Sequence, residues 1–161
     1  MTKTAGARVD DLELLRTMIR RGKTQGHYYV VLLGLRKYDP LSVYGFVRKG
    51  LRYSALTRFQ RNTDLSVKAV ADLADIPPRT LARRKEEGRL LPEESDRLVR
   101  ASRVFSKALE LFEGNAELAK HWLTTPQMAL GGLVPAELAT TDVGAETVEE
   151  LIGRLEHGIP V

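Results

Sequence analysis

The residues with the clearest chemical potential are four cations on one short stretch, Arg79, Arg83, Arg84 and Lys85, with Thr80 among them. They close the segment Ser66–Lys85 (SVKAVADLADIPPRTLARRK), which reads as helix, tight turn, helix. Ala71 is small enough to let two helices approach closely. Asp75 follows four residues later, where the turn needs a left-handed residue, and Asp tolerates that conformation better than most. Ile76 and Leu81 are placed to plug the angle between the helices. This is helix-turn-helix spacing, in which the second helix meets base edges with its first turn and phosphates with its cations. An Arg there can fork onto guanine O6 and N7, worth about 1–3 kcal/mol of discrimination. Arg79, Thr80, Arg83, Arg84 and Lys85, with Ser66 and Lys68 at the start of the first helix, form the candidate DNA-binding set. The plainer reading of the same spacing is a helical corner with a solvated basic face.

Catalytic chemistry is poorly represented. Arg21-Gly22-Lys23-Thr24 ends like a phosphate-binding loop, but that loop needs a second glycine five residues before Gly22, and Thr17 stands there. His27, His121 and His157 lack paired-ligand spacing. Zero cysteine excludes disulfides, thiolate metal sites and a cysteine nucleophile. Nothing resembles a nucleophile elbow or a His-Glu-x-x-His site. Glu93-Glu94 and Glu149-Glu150 sit at helix starts or on solvated faces, their ordinary places. The expectation is no catalytic residue, no metal and no cofactor.

These residues need helices to hold them. In Asp10–Arg21, Leu12, Leu15, Met18 and Ile19 share one face, with acids first and bases last. His27–Leu35 (HYYVVLLGL) reads equally as strand or buried helix, and residues 10–35 as core padding or dimer interface. Val43–Lys49 is helical and closed by Gly50. Ser54 is read as the cap of a helix through Arg61, followed by a loop from Asn62 to Leu65. Ser66 caps the next helix. Pro78 opens the second helix of the pair, which Gly88 ends. Pro92 to about Phe112 is one long helix with an apolar stripe from Leu98 to Phe112. Its other flank carries Arg97, Arg100, Arg103 and Lys107, read as a solvated ridge or as a source of phosphate contacts.

The back third continues in helices. Asn115 caps 116–123, and Pro126–Leu133 is a loop containing Gly131-Gly132. Pro135 opens a short helix, and Thr141 or Asp142 caps a last one to about His157, with Val148, Leu151, Ile152 and Leu155 inward. Trp122, Leu123, Met128, Leu130 and Leu133, with the apolar end Gly158-Ile159-Pro160-Val161, have the makings of an interface rather than an active site. The fold class is therefore all-α: a helix-turn-helix core with a small C-terminal helical subdomain. The expected parts are an N-terminal extension (1–40, frayed over 1–9), a helix-turn-helix domain (41–113) and a C-terminal domain (114–161).

The chain has 161 residues and a net charge of +4, unevenly divided. Residues 1–113 hold 23 Lys+Arg against 14 Asp+Glu, or +9, whereas residues 114–161 hold 2 against 7, or −5. The front suits a polyanion, and the back suits a basic protein surface. The longest apolar run, Tyr28–Leu33, falls far short of the roughly 20 residues of a membrane span, and Met1–Asp10 lacks a signal-peptide core. A cytoplasmic protein without a membrane partner is expected.

Gly88-Arg89-Leu90 and Glu93–Arg97, after Thr80–Arg84, resemble the Xre-type antitoxins of RES–Xre toxin–antitoxin pairs. Val47–Leu51 (VRKGL), AKHWLTTP (119–126), ALGGLVP (129–135) and VEELIGRLEHG (148–158) extend the resemblance to about residues 43–161. The back third is similar to the toxin-binding domain also named for MbcA and ParS. The resemblance implies an all-α antitoxin that is not an enzyme. Its Xre-like domain would bind operator DNA of its own operon. Its last domain would neutralise a RES-domain toxin that depletes NAD, the C-terminal region blocking the active site. Members dimerise and form larger complexes with toxin. By matching position, Arg154, Glu156, His157, Gly158, Ile159, Pro160 and Val161 would face the toxin, and Trp122, Leu130, Gly131, Gly132 and Pro135 would shape the subdomain. The sequence departs from the pattern at Asp75, in place of the usual turn glycine, and at Arg84, where many such proteins bury an aliphatic. The alternative function is a stand-alone helix-turn-helix transcription regulator whose C-terminal part only dimerises. The −5 back further suggests electrostatic mimicry of anionic NAD by Glu149, Glu150 and Glu156.

Overall fold

Proline and glycine punctuate this chain, and its helices fall between them. In a computed structural model, residues 10–160 are described. The order is α1 (Asp11–Arg20), a 3-10 segment (Tyr28–Leu33), α2 (Pro40–Lys49), α3 (Tyr53–Thr63), α4 (Val67–Leu73), α5 (Pro78–Glu87), α6 (Pro92–Leu111), α7 (Ala116–Leu123), a 3-10 turn (Met128–Leu130), α8 (Pro135–Leu138) and α9 (Asp142–Glu156). The expected frayed start, residues 1–9, lies outside the described residues. Among the described residues there is no strand, only the isolated bridges Arg52–Arg89 and Gln127–Leu133, and no helix is long and apolar enough to cross a membrane. The all-α expectation holds.

Side-chain caps fix the starts of α1, α2, α4, α7 and α9: Asp10, Asp39, Ser66, Asn115 and Thr141 each accept a backbone N–H of the first turn. One cap differs from expectation. Helix α3 begins at Tyr53 behind Arg52, with no side-chain cap, so Ser54 lies inside it, and the helix continues through Asn62 to Thr63.

Helix α6 is the axle. It packs against α2, α3, α4, α7, α9 and the 3-10 segment, and Phe105 on it meets Phe59 of α3 edge-on at 6.4 Å between ring centres. The 3-10 segment resolves the reading left open for His27–Leu35. All six of its side chains are buried, which is why no period of two or 3.6 was visible there. Leu15 of α1 and the 3-10 segment thus join the core, whereas Arg20–Lys23 between them stay exposed. Asp11 ties this layer to α3: its carboxylate accepts Arg58 Nε (2.9 Å) and Nη2 (2.6 Å), Arg36 Nη2 (2.6 Å) and Asn62 Nδ2 (3.0 Å). Burial pushes this carboxyl up, but the hydrogen bonds from Arg58, Asn62 and Arg36 outweigh it and hold it below its ordinary value.

The two tightest backbone approaches each require a glycine. A Cβ on Gly50 would lie 2.1 Å from the Leu90 carbonyl oxygen, where the α2–α3 and α5–α6 connections cross. A Cβ on Gly144 would lie 1.8 Å from the Leu138 carbonyl oxygen, where α9 leaves α8.

Candidate functional site

The first candidate surface is built on α4 and α5. Ser66 caps α4 by accepting the Ala69 N–H at 3.0 Å. Ala71 is buried and its carbonyl accepts the Ile76 N–H at 2.8 Å, closing the turn. Asp75 adopts φ 52° there, the left-handed conformation its type permits. Ile76 is buried and Leu81 half-buried in the angle. Helix α5 then projects Arg79, Arg83 and Lys85 into solvent, with Thr80 half-buried.

Arg84 does not join them. It is 6% exposed, and its Nε donates to Glu94 Oε1 of α6 at 2.7 Å, with Glu87 at 3.4 Å on the other side. The hydrogen bond to Glu94 raises its already high pKa. The reason is angular: Arg84 follows Leu81 by three residues, so it shares the inward face of α5. The place a shorter apolar side chain would fill is taken by an ion pair that fastens α5 to α6. Arg84 therefore leaves the candidate DNA-binding set. Ser66 is engaged as a cap, and Lys68 is exposed but shares its charge with Asp72 at 2.8 Å.

The basic ridge expected on α6 is likewise an internal device. Arg100 is 8% exposed; it donates to the carbonyls of Ala139 (3.3 Å) and Thr140 (3.0 Å) and pairs with Asp142 at 2.5 Å. Arg103 Nε binds Glu149 at 2.6 Å, and Arg97 binds the Ala74 carbonyl at 3.2 Å. The bonds of Arg100 and Arg103 fix α9 and the segment before it to the long helix, and that of Arg97 ties the end of α4 to it. Nothing in the local sequence of α6 signalled this, because every partner is distant in the chain.

The second candidate surface is the C-terminal subdomain. Leu130 and Pro135 are buried and Trp122 half-buried, so they shape the subdomain. Gly131 and Gly132 take φ 67° and 82° and turn the chain so that Gln127 N–H reaches Leu133 O at 3.1 Å. Met128, at the tip, is 93% exposed. Beyond α9 the chain turns at Gly158, and Ile159 N–H reaches back to Arg154 O at 2.9 Å. Arg154, Glu156, His157, Gly158, Ile159 and Pro160 are all exposed; Val161 lies outside the described residues. Partial burial and the nearby Glu110 charge push the Glu156 carboxyl up, against Lys107 and His157.

Residues 42–103 match the Antitoxin Xre-like helix-turn-helix domain, and residues 107–158 match the Antitoxin Xre/MbcA/ParS C-terminal toxin-binding domain. An Antitoxin Xre of Photorhabdus laumondii is 32% identical over 114 residues, covering 70% of this chain and 77% of that protein. The chain belongs to the Xre antitoxin family. An Antitoxin Xre of Yersinia enterocolitica is 47% identical over 85 residues, 52% of this chain, and the chain spans only 57% of that relative. A Sphingobium protein named Prs ADP-ribosylating antitoxin is 23% identical over 153 residues, 89% of this chain and 96% of that protein. Both domain matches run into α6, so the long helix of this antitoxin contributes to both.

Proposed function

We propose that the protein neutralises a RES-domain, NAD-depleting toxin by laying residues 154–161 over its active site, and represses its own operon through α4–α5. The observation that carries this is the exposed segment Arg154–Pro160, projecting from a subdomain that Arg100 and Arg103 lock to the helix-turn-helix. Support for an NAD-consuming target comes from the Sphingobium relative, whose printed name refers to ADP-ribosylation, a reaction that draws on NAD. The working unit is a homodimer that assembles into a larger complex with toxin. Arg79 and Arg83 read bases, and Lys85 meets phosphate.

The test is co-expression with the adjacent gene product, pull-down and an NAD-consumption assay. A tight complex with turnover suppressed is expected, and deletion of Gly158–Val161 should restore turnover while leaving DNA binding intact. No complex, with turnover unaffected, would leave a stand-alone regulator.

A further inference from the structure

A second basic surface adjoins α5. Two clefts, of about 360 and 560 Å³, meet at Ser54 and Arg58 on α3. The first is walled by Lys49, Arg52, Arg58 and Arg89 above an apolar floor that includes Leu33 and Phe46. The second runs along Arg58 and Arg61 to Lys85 of α5, with Asp10 and Asp11 as its carboxylates. Asp11 is already held by Arg36 and Arg58. Among the described residues, Lys49, Arg52, Arg61, Lys85 and Arg89 make no ion pair, and residues 1–9 contain no Asp or Glu to neutralise them. Arg89 is oriented by its bond to the Gly50 carbonyl at 2.5 Å. Unlike Arg100 and Arg103 of α6, these face solvent with no carboxylate at ion-pair distance among the described residues.

The arrangement is a track. Ser54, Arg58 and Arg61 recur at i, i+4 and i+7, one stripe of α3. From Ser54 to Arg61 the helix rises about 10 Å, which is about three base-pair steps at about 3.4 Å per step of one strand. Lys85 connects the track to α5: at about 100° per residue, it looks about 160° away from Arg83 around the helix. Arg79 and Arg83 thus serve one flank of α5, and Lys85 opens the other flank into the clefts. Continuity with α5 points to the same polyanion on both flanks.

We propose that Lys49, Arg52, Arg61, Lys85 and Arg89 form a phosphate-binding track for the backbone of the duplex that α5 engages, lengthening the DNA footprint beyond the helix-turn-helix. This rests on the DNA-binding reading above. It assigns affinity, not sequence choice, to the track.

Fluorescence anisotropy on the full chain tests it, with two probes: the duplex upstream of its own coding region and a scrambled duplex of equal length. Arg52→Gln, Arg61→Gln and Lys85→Gln should each weaken both duplexes by the same factor and flatten the log–log salt dependence by about one. The triple variant should flatten it by about three, with an unchanged thermal midpoint. Arg79→Ala is the reference, weakening the upstream duplex alone. An unaltered slope and affinity in the triple variant, with Arg79→Ala still impaired, would overturn the track and leave the α5 reading standing. Loss of toxin binding with an unaltered DNA slope would overturn it in favour of a protein surface. A wild-type chain that binds neither duplex would overturn both readings.

Discussion

Helices α5 and α6 each carry four cations, at 79, 83, 84 and 85 and at 97, 100, 103 and 107. On α5, three of the four stand in solvent and only Arg84 turns inward. On α6 the order is reversed: Arg97, Arg100 and Arg103 are bonded within the protein, and among the described residues Lys107 alone of the four makes neither a side-chain hydrogen bond nor an ion pair. Composition does not separate the two helices; what the following chain lays against each does. The acidic back third folds over α6, so Asp142 and Glu149 meet Arg100 and Arg103, while the outer face of α5 stays exposed among the described residues. Two of the seven acids of the back third, Asp142 and Glu149, are thus internal adhesive.

That contrast can be broken most directly at Arg100. Arg100→Ala strands two carbonyls while the exposed Asp142 returns to water, and should cost about 2–3 kcal/mol of stability, read as a lowered urea midpoint. Arg83→Ala should stay within about 0.5 kcal/mol of wild type. Equal midpoints for the two variants would erase the distinction. Arg84→Ala belongs with Arg100, since it leaves Glu94 buried and unpaired: the expected loss is about 2–3 kcal/mol of stability, with operator affinity of the folded protein unchanged. Next in size, Arg79→Ala and Arg83→Ala should each weaken operator binding by about 1–3 kcal/mol. Equal loss on scrambled DNA would reassign them to phosphate, and wild-type affinity in both would remove α5 from the DNA contact.

Asp11 sharpens the comparison in pH. Its folded-state pKa lies below its ordinary value, so its stabilisation is fully present above about pH 4 and is lost as pH falls through the depressed value. Asp11→Asn should lower the urea midpoint at neutral pH and flatten its decline in acid; an unaltered acid limb would show that the Arg36–Arg58–Asn62 cluster contributes nothing. The smallest expected effect concerns the back third. Glu149 is tied to Arg103, so the mimicry idea now rests on Glu150 and Glu156. Their replacement by Gln should slow toxin association a few-fold at low salt and little at high salt, as surface plasmon resonance would show.

Local signals carried most of the fold. Ser66, Asn115 and Thr141 are caps, Pro78 and Pro92 open helices and Gly88 closes one, and each of these acts within one turn of itself. Asp75 at the turn and the exposed Arg79, Arg83 and Lys85 were legible for the same reason. The inward Arg84 and Arg100 were not, because their carboxylate partners stand 10 and 42 residues away and a charged residue on a buried face makes sense only with its partner in view. The 3-10 segment gave no period because every side chain in it is buried. The clefts beside α3 draw on residues from Asp10 to Arg89, a juxtaposition that only packing creates.

Helix α6 has a consequence for turnover in the cell. It belongs to both halves of the antitoxin, and its inner face is buried from Glu94 to Leu109, so no exposed linker joins a DNA-binding piece to a toxin-binding piece. A protease that needs an extended, accessible stretch can trim the tail after α9, but to part the halves it must first melt the helix that holds each of them together. Limited digestion should therefore release no surviving DNA-binding fragment cut within α6: on the proposed function, trimming the exposed tail alone would free the toxin and leave repression standing, and only melting of α6 would end both in one event.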